Sequence, residues 1–222
     1  GYHYNGKQHD IREKVRDVVD RIDSLKKVVI VPYAFDGTNT TGIRGGISYD
    51  DFVAPFRTET IVFEQVAFNH PLYVMFSSGT TGKPKCIVHG TGGTLLKQVS
   101  EHVLHCDVAP GDRVFYFTTC GWMMWNWLMA GLAAGATLLL YDGSPFYPNG
   151  NILFEYADAE RMTLFGTSAK YIDALAKADL KPRETHDLSS VRAMTSTGSP
   201  LAPESFDYVY RDIKNDIHLA SI

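Results

Sequence analysis

This chain of 222 residues is short of cysteine, and its three, Cys86, Cys106 and Cys120, are odd in number and widely spaced. That argues against a disulfide framework and for reduced thiols, as in a cytoplasmic protein. No run of 18 apolar residues occurs; the richest stretch, Trp122 to Ala134, is interrupted by Asn126, so no membrane span is expected. Basic residues are not in excess. Lys and Arg total 21 against 25 Asp and Glu, a net charge of −4, which leaves no electrostatic footprint for nucleic acid. No G-x-S-x-G elbow supports a serine hydrolase. Internal repeats and low-complexity tracts are missing, as are a signal peptide and an initiating methionine, and the sequence reads as an internal part of a longer chain. His102-x-x-His105-Cys106 puts two histidines on one helix face, but the sequence nominates no further ligand, so they read as surface or packing residues and no metal site is expected.

What is present is ordinary for a globular protein: 45 % apolar and 21 % charged residues, with ample material for one large domain or two small ones. Residues 8–26 carry Ile11, Val15, Val18, Ile22 and Leu25 at helical spacing, and Lys27 to Val31 follow as a strand closed by Pro32. Gly37 to Gly46 is a polar loop; Ser48 caps a short helix through Val53, stopped by Pro55. Leu72 to Phe76 and Cys86 to Val88 read as strands. From there the pattern is regular. Helices are expected at Thr94–His105, Trp122–Ala134 (ended by Gly135), Leu153–Glu160, Ser168–Ala178 and Pro203–Arg211. Strands are expected at Val114–Phe117, Thr137–Tyr141, Thr163–Phe165, Val191–Ser196 and Ile217–Leu219. Alternating strands and helices imply an α/β fold with a mostly parallel sheet.

The most informative segment is Phe76-Ser77-Ser78-Gly79-Thr80-Thr81-Gly82-Lys83-Pro84-Lys85, set between two apolar strands. Glycines let backbone N–H groups approach an oxyanion closely, hydroxyls donate hydrogen bonds, and two lysines bring positive charge. A lysine about 4 Å from a phosphate charge gains roughly 4 kcal/mol at an effective dielectric near 20, before desolvation is subtracted. A flexible linker of the same composition is the plain alternative, though linkers rarely sit wedged between strands. A Walker A loop is excluded, because only two residues separate Gly79 from Gly82 and Pro84 stands where Ser or Thr is required.

Two further segments stand at strand ends. Gly121 to Trp127 holds all three tryptophans with Met123 and Met124, and it reads either as a packed core helix or as a ligand-facing one, since it follows a strand's carboxyl end. Thr195-Ser196-Thr197-Gly198-Ser199-Pro200-Leu201 is either a plain strand-ending turn or part of a site.

Through Lys85 the glycine-rich loop resembles, position by position, the phosphate loop of the adenylate-forming superfamily of acyl-CoA synthetases, peptide-synthetase adenylation domains and luciferases. Cys86 departs from the glycine usual after the last lysine. Gly121 to Trp127, Tyr141 to Pro145 and Leu180 to Leu188 are similar to the acetoacetyl-CoA synthetases in particular. His89 matches a histidine of the acetyl-CoA synthetases, whose glutamate is replaced here by Ser199. The resemblance implies part of the large N-terminal, AMP-binding domain over 1–222, without the C-terminal lid domain that carries the adenylation lysine. It implies that acetoacetate is activated by ATP with Mg2+ and passed to coenzyme A. Other short-chain acids (acetate, propionate, a hydroxy acid) and a non-catalytic nucleotide-binding homologue are the alternatives. Carried over, Ser77, Ser78, Gly79, Thr80, Thr81, Gly82, Lys83 and Lys85 would hold the phosphates, Thr80 and Lys85 acting in catalysis. Gly198, Ser199 and Pro200 would pack on adenine, and Trp122, Met123, Met124 and Thr197 would line the acyl pocket. Separating acetoacetate from butyrate needs a donor for the β-keto oxygen, for which the indole of Trp122 and the amide of Asn126 are the candidates. The partners so implied are small molecules, with no nucleic acid or membrane, and the sequence is silent on oligomeric state.

Overall fold

The periodicity changes from two to about 3.6 and back along the chain, and elements follow it in a computed structural model that describes residues 1–35, 37–77 and 82–222. The chain divides into Gly1–Glu64 with Phe146–Pro148, and Gln65–Pro145 with Asn149–Ile222.

The first unit starts with a hairpin of β1 (Tyr2–Tyr4) and β2 (Lys7–His9), paired antiparallel around Asn5 and Gly6. Both turn residues have positive φ, 50° and 72°, the geometry that favours Asn-Gly between twisted strands. The helix expected from residue 8 is therefore corrected: residues 7–9 are strand, and α1 spans Arg12–Asp20. Asp10 accepts the Arg12 backbone N–H at 2.9 Å, which marks the change from strand to helix. At the other end, the guanidinium of Arg44 donates to the carbonyls of Val19, Ile22 and Leu25, satisfying acceptors that a helix terminus leaves open. Val19, 3 % exposed, faces inward, whereas Val18 and Ile22 of the expected stripe stay exposed. β3 (Val28–Ile30) pairs in parallel with β4 (Gly46–Ser48), and α2 (Tyr49–Val53) is capped by Ser48 Oγ, which accepts from Asp51 N at 3.0 Å.

In the second unit β5 (Pro71–Ser77) and β6 (Lys85–Gly90) form an antiparallel pair that leads into α3 (Thr91–Ser100). Helix α3 ends in a wide π turn, Glu101–His105. Then follow β7 (Arg113–Tyr116), α4 (Met123–Ala130), β8 (Thr137–Leu139), α5 (Ile152–Ala159), β9 (Leu164–Ser168), α6 (Ala169–Lys177) and the single turn α7 (Pro182–Thr185). β10 (Ala193–Thr197), α8 (Pro203–Tyr208) and β11 (His218–Ser221) complete the unit. The expected strand from Val191 begins instead at Ala193, because Val191 N–H is taken by the Leu188 carbonyl in a turn.

Strands β7 to β11 make one wholly parallel sheet in the order β11-β10-β9-β7-β8. Chain order reverses between β7 and β9, so the connections diverge there and leave a crevice above the carboxyl ends. Both faces are covered, and the strands send apolar residues to each side in turn. Phe115, Phe165, Met194 and Leu219 point to one side, against Leu153, Phe154, Ile172 and Leu175 of α5 and α6. Val114, Tyr116, Leu164 and Ala193 point to the other, against Met124, Trp127 and Leu128 of α4. Each fully buried Phe or Leu contributes about 1.5–3 kcal/mol relative to exposure. Among the described residues no helix is long and apolar enough to cross a membrane.

Candidate functional site

The glycine-rich loop joins β5 to β6. Its base is fixed by the pairing of Ser77 with Lys85 and of Phe76 with Cys86, and Ser77 Oγ accepts from Lys85 N at 3.4 Å. Ser78, Gly79, Thr80 and Thr81 lie outside the described residues. Gly82 has φ +155°, and among the described residues nothing lies within 4 Å of where a Cβ would stand. Lys83 and Lys85 are exposed and form no ion pair among the described residues, so their charge is available to a ligand.

The second element of the site follows β7. Phe117 N–H still bonds to the Gly166 carbonyl at 2.9 Å, and the chain then turns so that Trp122, in extended conformation, caps the start of α4. Trp122 is 39 % exposed and packs edge-on against Tyr116, with ring centroids 6.4 Å apart at 75°. Met123, 44 % exposed, borders a cleft with Tyr73, His89, Thr94 and Lys97, where the Tyr73 and His89 rings lie 5.2 Å apart. Met124 differs from its neighbour: only 3 % exposed, it joins the core beneath the sheet with Val114 and Leu128 and stands behind the exposed pair. Asn126 Nδ2 donates to Met75 Sδ at 3.5 Å. A thioether is a weak acceptor, so this amide is readily given up to a better one. Met75 is two residues from Ser77 on β5, about 7 Å along the strand, so α4 and the base of the phosphate loop are neighbours.

The third element ends β10. Thr197 pairs with Ser168, Gly198 turns the chain at φ +92°, and Ser199 and Pro200 are exposed. With Ser221 and Ile222 they line an open cleft of about 510 Å³. Ser221 Oγ accepts from Leu201 N, and Ile222 N–H bonds to the Ser196 carbonyl, which ties the cleft's two sides together. The loops after β7 and β10 thus both stand on the carboxyl edge of one sheet, where open parallel sheets bind ligands.

Three hydroxyl residues lie near that edge: Thr195 and Ser196 belong to the segment marked from sequence, and Thr167 is one that sequence reasoning missed. Thr167, Thr195 and Ser196 are buried, and their hydroxyls have no hydrogen-bond partner among the described residues. Their signal was the position, hydroxyl residues at the ends of strands that are otherwise apolar. His102 is also buried. Its Nδ1 lies 2.8 Å from the Gln98 carbonyl, and its ring stacks on Trp127 at 4.1 Å. Burial pushes its pKa down against the opposing pull of that carbonyl and Glu101, so it is a neutral packing residue. No group of three or more His, Cys, Asp or Glu that could hold a metal occurs among the described residues.

A family model described as AMP-binding enzyme matches residues 6–219. The chain is 60 % identical to the acetoacetyl-coenzyme A synthetase of Rhizobium meliloti (strain 1021), over 100 % of this chain and 34 % of the relative. It is 47 % identical to the acetoacetyl-CoA synthetase of Danio rerio, over 99 % of this chain and 33 % of the relative. It is 38 % identical to a malonamoyl-CoA synthetase of Penicillium aethiopicum, with the same shares of 99 % and 33 %. Among solved structures, acetoacetyl-CoA synthetase from Streptomyces lividans superposes with a TM-score of 0.89 at 40 % identity, over 100 % of this chain and 34 % of that one. The chain spans about a third of the length of the relatives it matches.

Proposed function

The chain belongs to the AMP-binding enzyme family, and on that footing we propose that it forms the ATP- and acyl-binding part of the large N-terminal domain of an acetoacetate–CoA ligase. The observation that carries this reading is the 60 % identity over the whole chain to an acetoacetyl-coenzyme A synthetase. In the first half-reaction a carboxylate oxygen of acetoacetate attacks the α-phosphorus of ATP, and pyrophosphate leaves with the electron pair of the broken P–O bond. In the second, the thiol of coenzyme A attacks the acyl carbon, loses its proton and displaces AMP.

The residues present fit a polyphosphate. Lys83 and Lys85 are exposed cations without carboxylate partners among the described residues, and Ser77 adds a hydroxyl at the base of the loop. Ser78, Gly79, Thr80, Thr81 and Gly82 complete the phosphate set, with Thr80 and Lys85 acting in catalysis. Such a loop acts by positioning and by offsetting charge that develops as pyrophosphate departs. Gly198, Ser199 and Pro200 would take adenine in the open cleft that they line. Mg2+ would enter with the phosphates of the nucleotide.

Trp122, Met123, Asn126 and Thr197 form the acyl wall, with Met124 behind it. Acetoacetyl and malonamoyl groups both carry a carbonyl on the β carbon, so the two kinds of relative share one recognition problem. A hydrocarbon wall separates acids differing by one methylene by only about 1–3 kcal/mol, whereas leaving a buried donor unpaired costs much more in discrimination. The Asn126 amide, whose hydrogen-bond partner among the described residues is the weak acceptor Met75 Sδ, is the donor we assign.

The test is pyrophosphate exchange into ATP and thioester formation by the full-length protein that carries this chain, over acetoacetate, butyrate, acetate, propionate and 3-hydroxybutyrate. Acetoacetate should be preferred, and Lys85→Ala should abolish exchange. Preference for another acid would replace the substrate. No exchange with any acid, together with ATP binding, would make the protein a non-catalytic nucleotide binder.

A further inference from the structure

We propose that Tyr116 is the positioning residue for Trp122, and that Gly166 exists to make room for it; this rests on the acyl role assigned to Trp122 above. Tyr116 is the last residue of β7, almost fully buried, on the face covered by α4. Its ring does not stay over its own strand. It crosses to β9 and lies on Gly166, where an added Cβ would fall 2.1 Å from Tyr116 Cδ2. From there the phenol donates to the Thr167 carbonyl at 2.9 Å. Burial pushes the Tyr116 pKa far up, so it remains a donor at any working pH.

The ring is gripped on both sides. Trp127 meets it edge-on at 5.7 Å and 70°, and Trp122 at 6.4 Å and 75°. Trp127 is itself backed by the stacked ring of His102. Tyr116, Trp127 and His102 therefore form a buried aromatic row with Trp122 at its exposed end. Trp122 has no hydrogen bond to fix its indole among those observed, so its placement depends on the ring beneath it. Glycine inside a strand weakens that strand unless something approaches closely, and here a tyrosine ring does.

Tyr116 is buried beneath Trp122, so its effect on the acid must pass through that indole. The experiment uses the full-length protein with Tyr116→Phe, Tyr116→Leu and Gly166→Ala. The quantity read is the ratio of kcat/KM for acetoacetate to that for butyrate, with KM for ATP as the reference. Tyr116→Leu removes the ring and should change the ratio about 10-fold, the scale of a small misfit in an acyl wall, while KM for ATP stays within about twofold. Gly166→Ala, whose added Cβ displaces the ring on which Trp122 packs, should move the ratio as well, and Tyr116→Phe, which keeps the ring and loses only the bond to Thr167, should restore most of it. A merely structural role would lower kcat/KM for both acids by the same factor; an unchanged ratio in Tyr116→Leu and Gly166→Ala overturns the inference. If the wild type prefers a different acid, the acetoacetate reading fails alone, and the same ratio taken between that acid and its next homologue still decides the role of Tyr116.

Discussion

The amino edge of the parallel sheet is held by Arg192, and replacing it is the sharpest structural test. Arg192 precedes β10, and its guanidinium reaches past the start of β9 to the segment before β7. There it donates to the Asp112 carboxylate at 2.5 Å, to the Cys106 carbonyl at 3.1 Å and to the Asp107 carbonyl at 2.6 Å. Asp107 has φ +52°, a costly conformation for a residue with a side chain, so this segment needs holding. Asp112 also accepts from Ala109 N at 2.7 Å. A hydrogen bond to a charged group is worth about 1.5–3 kcal/mol net, but the three share one side chain and do not add. The arginine side chain is 36 % exposed and the aspartate 13 %, so solvent screening takes roughly half. Arg192→Met should therefore cost about 2–4 kcal/mol, Asp112→Asn about 1–2, and the double-mutant coupling should be about 1 kcal/mol. Urea unfolding of the chain at pH 7 measures all three. Burial alone would push the Asp112 pKa up, but bonds from Ala109 N–H, Arg192 and Thr163 outweigh it and hold the group below the ordinary range. Its stabilisation is thus present above the unfolded value near 3.9 and is lost as pH falls through the lower folded value, so the Arg192→Met deficit should shrink in acid. A coupling below about 0.3 kcal/mol would class the pair with ordinary surface ion pairs and refute the reasoning.

Two further outcomes follow from buried groups. His102 titrates lower in the folded chain than in the unfolded one, so protonation favours the unfolded state and stability should fall as pH drops below about 6.5; the loss of urea midpoint between pH 7.5 and 5.5 should be smaller in His102→Phe, and an equal loss would remove the histidine from the explanation. Gly135 ends the helical segment after α4 at φ +77°, with Pro110 3.1 Å from where a Cβ would stand, so Gly135→Ala should lower stability by about 1–3 kcal/mol at unchanged m-value, and a change within about 0.3 kcal/mol would contradict the left-handed assignment.

Where the sequence had one strong signal and nothing to compete with it, the element is present: Ser48 caps α2, Ser168 caps α6 through Tyr171 N at 3.3 Å, and Gly135 stops the helical segment begun at Met123. The hairpin at Asn5 and Gly6 was legible too, but helical spacing downstream was extended through it; a turn dipeptide outweighs a loose hydrophobic stripe when the stripe is short. Helices Thr94–His105 and Pro203–Arg211 were expected as uniform, yet each ends in a π turn, Glu101–His105 and Val209–Ile213, which no propensity distinguishes from α. Within the site, residue types at strand ends were readable, but direction was not. Met123 and Met124 are chemically identical and adjacent, and only the turn at Trp122 decides that one faces a cleft and the other the core. Tyr116 was invisible because its role depends on Gly166, which lies on the neighbouring strand β9 and far along the chain.

The two edges of the sheet treat polar groups in opposite ways. At the amino edge Arg113 pairs with Glu160, Thr163 exchanges hydrogen bonds with Arg113 backbone groups, and Arg192 satisfies Asp112 and two carbonyls. Polar side chains there use one another up, so that edge offers a ligand little. At the carboxyl edge Thr167, Thr195 and Ser196 bury hydroxyls without partners among the described residues, Gly198 presents bare backbone, and Trp122 and Met123 leave apolar surface in solvent. An unsatisfied buried hydroxyl costs about 1–3 kcal/mol, and an exposed tryptophan forgoes burial worth a comparable amount. A sheet built for stability alone would spend neither. The imbalance between edges, with the same five strands and the same core beneath both, supports the proposed binding surface independently of any sequence motif, because it favours the edge to which the segments at Trp122 and Gly198 belong.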